Sequence, residues 1–384
     1  MTEPPADRYD ACVLGAGPAG ALTASLLARR GRSVLLVDKA EFPRAKVCGG
    51  CLGGVGAAAL DAAGLSLDSL GVPSALLTRV RVMSGGVSAE LTIGDRRAID
   101  RAPLDAALVD HARDCGVTVE TGVRAAIGAP ETGRRSIRLQ SVGQPPRRVS
   151  ASLVVLAAGL GGPTLPEESA RSRVVRAASR LGAGVVLPAD AAPDLGRGEI
   201  VMACGARGRG YVGLTRLADG RIDAAAALDP AAVSRAGLAG AAAAVLRDAG
   251  FPVPTRVGAV DWKATPRLTQ RPRRLGGPRV LRVGDAAGYV EPFTGEGIGW
   301  ALRGAIDLAP IADAAIDAWD DGVIDAWQRV FSRRIGRWQT RCRAVCGLIG
   351  GRAATPALVR LLRAAPWLAA PIARGIERPT LRWC

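Results

Sequence analysis

Residues 15–20 read Gly15-Ala16-Gly17-Pro18-Ala19-Gly20, set between an apolar run at 9–14 and the helix-forming run ALTASLLARR. Each glycine has a task in phosphate chemistry. Gly15 permits a tight turn after a strand, Gly17 lets the backbone approach a pyrophosphate, and Gly20 lets the helix pack closely on the sheet. N–H groups freed at the helix start, after Pro18 and from Ala19 onward, then hold phosphate oxygens. A second apolar run, 33–39, ends in Asp38-Lys39, with Asp38 eighteen residues beyond Gly20. A carboxylate there accepts from a ribose hydroxyl. Strand, glycine turn, helix, strand and acid together constitute a dinucleotide site. The pattern alone does not separate FAD from NAD.

Residues 42–52 read FPRAKVCGGCL. Cys48-Gly49-Gly50-Cys51 admits several readings: zinc ligands, a redox dithiol, a loop beside a cofactor, or small buried residues. Zinc needs four ligands. His111 is the sole histidine, and Cys342-x-x-x-Cys346 would join only through the fold, so no metal is expected. Nothing near the pair supplies the setting of a thioredoxin. Arg44 and Lys46 add positive charge, suited to a cofactor phosphate or an anionic substrate. His111 is expected to be a packed or solvated helix residue. No GxSxG elbow accompanies it, which disfavours a hydrolase.

Residues 278–305 form a second strand, turn and helix pattern, about 265 residues after the first. Its candidate binding residues are Gly284, Asp285, Gly288, Pro292, Gly295, Glu296, Gly297 and Ile298. An acid at a strand end accepts sugar hydroxyls, and glycine-rich backbone can lie flat against a ring. A cofactor gripped by both ends of the chain is long.

These stretches together resemble the geranylgeranyl reductase family of FAD-dependent oxidoreductases, within the larger class shaped like para-hydroxybenzoate hydroxylase. The resemblance spans roughly residues 8–345. It rests on Gly15–Gly20, Asp38, Pro43-Arg44-x-Lys46-x-Cys48-Gly49-Gly50, Arg101-x-x-Leu104-Asp105, Gly284-Asp285-Ala286-Ala287-Gly288, Pro292 and Thr294-Gly295-Glu296-Gly297-Ile298. It implies bound FAD, with NAD(P)H as a transient reductant. It implies that Asp285 binds the ribityl hydroxyls and that the turn from Pro292 to Ile298 follows the isoalloxazine ring. It also implies that Arg101 reaches the cofactor phosphates and that Cys48 belongs to a loop beside the flavin. Read without the resemblance, Arg101 is also consistent with a solvated helix start, and Asp105 with a cap or brace for that helix.

Two departures from the family bear on the substrate. Ala158 stands where the class commonly has the Asp of an A-D-G stretch. At 211–216, where isoprenoid reductases resemble Tyr-x-Trp-x-Phe-Pro, Tyr211 remains but Gly213, Thr215 and Arg216 replace Trp, Phe and Pro. Two aromatic walls are lost and a cation is expected near the cavity, so the substrate is expected to be less purely hydrocarbon. The expected reaction is reduction of a carbon–carbon double bond of a hydrophobic or partly polar organic substrate, with Cys48 or ordered water giving the proton and Tyr211 orienting the substrate. The alternative is a monooxygenase that hydroxylates or epoxidises an aromatic or polyketide-like substrate, since one fold serves both. Halogenation and a non-enzymatic flavin carrier are both disfavoured.

The elements that must position these residues form an α/β chain. A Rossmann-like FAD-binding domain, 1–75, 95–165 and 275–310, is expected to interleave with an α+β substrate domain, 76–94 and 166–274, containing a mixed or antiparallel sheet. C-terminal helices occupy 311–384. A hairpin turns at Gly85-Gly86, a helix covers 103–116, and strands fall at 183–187, 199–204, 210–216, 221–227 and 278–283. Residues 229–249 are an Ala-rich helix. Trp319, Trp327 and Trp338 are expected to pack rather than to form a ligand box.

Composition narrows the partners. The chain has 384 residues, 48% of them hydrophobic, which suits two or three domains with a sizeable core. Eight cysteines lack the density of a secreted disulfide scaffold. The polar start is not a signal peptide, and no apolar run is long enough to span a membrane. A cytoplasmic location follows as the expectation, with a membrane-facing edge at most. A net charge of +16 favours acidic partners. The arginines are dispersed and lack a nucleic-acid motif, so no nucleic acid is expected. The stretch PALVRLLRAAPWLAAPIARG near the end mixes Leu, Trp and Ile with Arg. It suits weak peripheral contact with a membrane, a cover over the substrate cavity, or plain packing.

Overall fold

A computed structural model describes residues 7–169, 172–291, 293, 295–349 and 354–369. The chain opens with β1 (Asp7–Leu14), α1 (Pro18–Ala28) and β2 (Val34–Val37). β1 and β2 run parallel, with Leu14 opposite Val37. All four residues of β2 are buried, as expected of a parallel strand covered on both faces. Next come β3 (Cys51–Leu52), α2 (Gly54–Ala62) and the long hairpin β4 (Ser74–Ser84) and β5 (Val87–Ile99), which turns at Gly85-Gly86. β5 carries the second sheet to Ile99, beyond the boundary expected at 95.

The helix α3 (Arg101–Asp114) starts two residues before the expected 103, because the Asp100 side chain caps it by accepting from the Ala102 N–H at 2.9 Å. β6 (Thr118–Glu120), the hairpin β7 (Val123–Glu131) and β8 (Arg134–Ser141), and β9 (Arg147–Leu156) follow. The remaining strands are β10 (Arg173–Val175), β11 (Leu181–Leu187), β12 (Glu199–Cys204), β13 (Gly210–Arg216), β14 (Ile222–Leu228), β15 (Lys263–Arg267), β16 (Gln270–Pro272), β17 (Gly276–Gly277) and β18 (Val280–Arg282). The helices are α4 (Pro230–Ala249), α5 (Gly297–Asp317), α6 (Gly322–Phe331), α7 (Arg337–Ile349) and α8 (Ala354–Ala364).

One sheet has the order β17-β18-β9-β1-β2-β6, with the β7–β8 hairpin joined at β9. Its inner strands are parallel, so residues from both ends of the chain meet in one Rossmann-like layer. α1, α2, α3 and α5 share its core. β10 and β16 form a small antiparallel pair, and the second large sheet has the order β15-β11-β14-β13-β12-β4-β5-β3. It is antiparallel except where β12 runs parallel to β4, hence mixed as expected.

In β13 and β14 successive side chains face opposite ways. Val212, Leu214, Ala224 and Ala226 pack with Val245 and Leu246 of α4. Tyr211, Gly213, Thr215, Ala225 and Ala227 take the other face. α4 is interrupted at Gly237, whose φ is +68°.

Trp327 is fully buried and donates to the Arg282 carbonyl at 2.8 Å. Trp319 and Trp338 pack half-buried on the same core. The tryptophans are therefore packing residues. α8 crosses the β4–β5 hairpin, and its continuation at 370–374 lies outside the described residues.

Candidate active site

At the dinucleotide end, Gly15 has φ +105°, and a Cβ there would stand 2.5 Å from the Ala157 carbonyl oxygen. Only glycine fits. α1 begins at Pro18, and its N-cap, Gly17, offers no side-chain cap. The first N–H groups of the helix are thus left for a ligand. Asp38 accepts from the Ala16 N–H at 2.8 Å and the Ala40 N–H at 2.9 Å. Each oxygen keeps a lone pair. Lys39 stands exposed beside it.

A cavity of about 930 Å³ starts at Gly15, Gly17, Pro18, Ala19, Asp38 and Lys39, runs past Arg44, Lys46, Arg101, Gly284 and Asp285, and reaches Gly295, Gly297 and Ile298. Gly20 is not on its wall. It packs against the Gly15 carbonyl and Ala157, so it serves the helix–sheet contact rather than the ligand.

The middle of the cavity is electrostatic. Arg101 grips the fully buried Asp105 with two hydrogen bonds of 2.8 Å. Arg44 lies 3.5 Å from Asp105 and 3.8 Å from Asp38. Asp105 therefore braces two cations, and Asp100 is the helix cap. Lys46 has its pKa lowered by desolvation, against the pull of Asp285. Burial raises the pKa of Asp285, while Lys46 and Arg101 oppose that rise. Arg44, Lys46 and Arg101 suit phosphates, and Asp285 suits sugar hydroxyls.

Three candidates at the far end need correction. Gly50 is off the wall. Its φ is +56°, and a Cβ there would meet Asp223. Gly288 is also off the wall: it packs on Arg271, and its carbonyl accepts from Gln339 Nε2 at 2.9 Å. Glu296 directs its carboxylate to Arg96 at 3.1 Å, both side chains being buried, and does not line the cavity. Gly49, Gly295, Gly297 and Ile298 do line it. Pro292 lies outside the described residues.

Cys48 and Cys51 are free thiols on the wall. Burial pushes Cys48 above the ordinary thiol range, against the pull of the Arg101 charge, and pushes Cys51 up to about 11. Both are neutral thiols at pH 7. Among the described residues no group of His, Cys, Asp or Glu gathers as metal ligands. His111 is half-buried in α3, 3.5 Å from the Cys115 sulfur, away from the cavity.

Beyond Cys48 the cavity opens under the second sheet. Tyr211 lines it, edge-on to Phe293 with ring centroids 5.0 Å apart. Burial, then Cys346 and Glu291, hold its phenol pKa well above the usual value. A Cβ on Gly213 would lie 3.3 Å from the Met202 sulfur, so methionine occupies part of the room that an aromatic wall would take. Arg216 is not at the cavity, contrary to expectation. It donates to the carbonyls of Ala189, Ala192, Leu195 and Gly220.

Several wall residues lie outside the candidate site residues read from the sequence, although Ala158 was noted there and a cover over the cavity was one reading of the α8 stretch. The turn Ala157–Pro163, including Ala158, lies along the cavity, and its three glycines were an available signal. Val80, Val82, Leu91 and Ile93 of the hairpin and Leu358, Val359 and Leu362 of α8 form an apolar chamber. Arg96 also reaches the wall. No described helix is long and apolar enough to cross a membrane.

Residues 8–327 match the model of a family described as FAD binding domain. A menaquinone reductase of Mycolicibacterium smegmatis is 28% identical over 332 residues, covering 77% of this chain and 74% of that protein. Among solved structures, a flavin-dependent brominase superposes with TM-score 0.74 at 16% identity, covering 96% of this chain and 93% of that one. A geranylgeranyl bacteriochlorophyll reductase-like protein from Thermoplasma acidophilum superposes with TM-score 0.73 at 16% identity, covering 98% of each chain. The fold is the para-hydroxybenzoate hydroxylase-like flavoprotein fold, which serves reductases and halogenases alike.

Proposed function

The chain belongs to the FAD binding domain family, and on that premise we propose that this FAD-dependent oxidoreductase takes electrons from NAD(P)H and reduces a carbon–carbon double bond of a largely apolar organic substrate. FAD fits the residues present. Gly15–Ala19 and Asp38 would hold its adenosine and pyrophosphate, and Arg44, Lys46 and Arg101 would neutralise the phosphates. Asp285 would take the ribityl hydroxyls, and Gly295–Ile298 would border the ring. When bound, FAD supplies the hydride.

The observation that carries the reductive reading is the neutral thiol of Cys48, placed where the charged part of the cavity meets the apolar chamber. A general acid must hold its proton until the transition state. Tyr211 gives the chamber a polar tip among largely apolar walls, which would orient a substrate. Val82, Met202, Leu268 and Leu362 exclude water around it. The reductase name of the Mycolicibacterium relative supports a reductive reaction, and the geranylgeranyl reductase resemblance fits it.

Oxygenation of an aromatic or polyketide-like substrate is the second reading, and the fold accommodates it equally. The specific observation in its favour is the wall at Gly213 and Thr215, which lacks two aromatic side chains and which Met202 fills only in part. The shared fold of a flavin-dependent brominase agrees with it. One experiment separates the readings. FAD-loaded protein, NADPH and candidate unsaturated or phenolic compounds are incubated with and without oxygen, and the products are weighed. A gain of two hydrogens without oxygen supports reduction. Oxygen-dependent gain of an atom labelled from ¹⁸O₂ overturns it.

We propose further that α8 and the segment after it rest on an anionic membrane surface at the cytoplasmic face. Leu361, Trp367 and Leu368 are 50%, 69% and 46% exposed, and Arg360 and Arg363 stand among them. The same segment walls the chamber, so such contact would bring an apolar substrate to its mouth.

A further inference from the structure

Beside Cys48 lies a buried carboxyl that the reaction above leaves unused. In the β13–β14 ladder Tyr211 pairs with Ala227, Gly213 with Ala225 and Thr215 with Asp223. Residues two apart share a face, so Asp223 lies on the same side of the sheet as Ala225 and Ala227, which line the cavity. Asp223 is only 8% exposed. Its carboxylate supports the glycine turn, since a Cβ on Gly50 would stand 2.6 Å from its Oδ2. Gly50 is two residues from Cys48, whose thiol feels the charges of both Arg101 and Asp223. On the other side, Asp223 faces the ion pair of Arg221 and Asp100, closed at 2.7 Å, where the Arg221 side chain is 45% exposed. The carboxyl thus stands between a thiol at the cavity and an edge open to water.

We infer that Asp223 is the positioning residue that returns the proton to Cys48 after each turnover. The inference rests on the reductive reading. As the hydride reaches one carbon of the double bond, the Cys48 S–H bond breaks and its proton joins the other carbon. The Asp223 carboxyl then gives its proton to the sulfur, and the S–H bond re-forms. The resulting carboxylate takes a proton from water at the Arg221–Asp100 edge. The net change is one hydride and one water-derived proton added to the substrate.

The charged and titratable groups facing Asp223 are Cys48 in the loop above, Asp100 and Arg101 at the start of α3, and Arg221 before β14. Burial raises its pKa most, and Asp100 adds to the rise. Arg101 and Arg221 oppose both without cancelling them. Asp223 therefore keeps a proton to a higher pH than an ordinary carboxyl, as a donor to a thiolate must.

The test reads the thiol directly. FAD-loaded protein is alkylated with iodoacetamide across a pH series, and the Cys48 peptide is followed by mass spectrometry. Asp223→Asn should lower the alkylation midpoint, because the negative charge facing the thiolate is gone, and Asp223→Glu should keep it near wild type. In anaerobic turnover Asp223→Asn should slow substrate reduction at least tenfold, with KM and the NADPH half-reaction unchanged, and Asp223→Glu should restore part of the rate. Arg221→Gln, at the exposed end of the route, should slow the same step without touching the glycine turn. Superimposable alkylation profiles overturn the inference whatever the activity. A shifted profile with full turnover also overturns it, and so does an unaffected Arg221→Gln. If wild type makes only an oxygenated product while the profile still shifts, the reductive reading fails first and the proton route fails with it.

Discussion

Glu168 closes a two-pronged ion pair on Arg282, with its two oxygens at 2.7 and 2.6 Å from the guanidinium. Glu167 does the same to Arg135 at 3.1 and 2.7 Å. Both arginines are essentially fully buried. Two successive glutamates therefore pin the segment after the first sheet back onto β8 and β18. The Arg282 carbonyl meanwhile accepts from Trp327, which ties α6 to the same strand.

Removing this carboxylate should be costly. Breaking a buried pair from one side leaves the other charge stranded, which costs about 3–5 kcal/mol. Glu168→Gln should fall near the lower end, because the Glu168 side chain is 14% exposed. Denaturant unfolding measures the loss. A change within about 0.5 kcal/mol, the size of an ordinary surface substitution, would show that the pair does not hold the segment.

The same pair predicts an acid limb. Burial works against the Glu168 charge, but the Arg282 bonds and the Leu165 N–H outweigh it, so its pKa lies below the ordinary value. A carboxylate depressed in the folded state stabilises fully above its unfolded pKa of about 4.3 and loses that contribution as pH falls through the folded value. Wild type should lose stability below about pH 4, and Glu168→Gln should show a shallower slope there. Parallel pH–stability curves would refute the assignment.

Gly15→Ala should abolish FAD retention. The added Cβ would meet the Ala157 carbonyl at 2.5 Å, at a φ of +105°. Flavin absorbance of the purified variant checks this. Wild type should release intact FAD into the supernatant on heat or acid treatment, because no His or Cys stands in a recognisable flavinylation setting. Yellow precipitated protein would contradict that.

Cys48→Ala should retain FAD and the NADPH half-reaction while slowing substrate reduction by roughly 10²–10⁴, the usual worth of a positioned acid. The wild-type thiol is held protonated by burial, so its rate should persist through neutral pH and fall only as alkali ionises it. Stopped-flow flavin reoxidation gives both measurements. An unchanged rate would return Cys48 to a packing role.

Vesicle binding tests the α8 surface. Sedimentation with anionic vesicles should fall as salt rises, since exposed charges are screened beyond about 10 Å at 0.1 M. Trp367→Ser with Leu368→Ser should weaken it severalfold. Equal and negligible binding to anionic and neutral vesicles would leave α8 as a wall of the chamber alone.

What could be read from the sequence was whatever local geometry forces. Gly15 and Gly295 announce themselves because the backbone there has positive φ, and Asp38 because it ends a strand at a fixed distance from them. Asp223 did not, because its value comes from lying under Gly50, a contact between residues far apart in the chain. Glu296 sat in the right turn but turned toward Arg96, and nothing local encodes that partner. Arg216 was expected as a cation near the cavity, whereas four loop carbonyls claim it. The α8 stripe was visible as amphipathic, but only the fold says which surface its apolar side covers.

The first sheet takes β1 from the start of the chain and β18 from beyond residue 279, with α1 packed on α5. Translation delivers these parts at opposite ends of its course. On the proposed assignment, the adenosine grip would exist without its counterpart for the ring until the ribosome has released residue 298. Every shorter nascent chain would then offer FAD only half a site, which would place cofactor loading late in the protein's maturation.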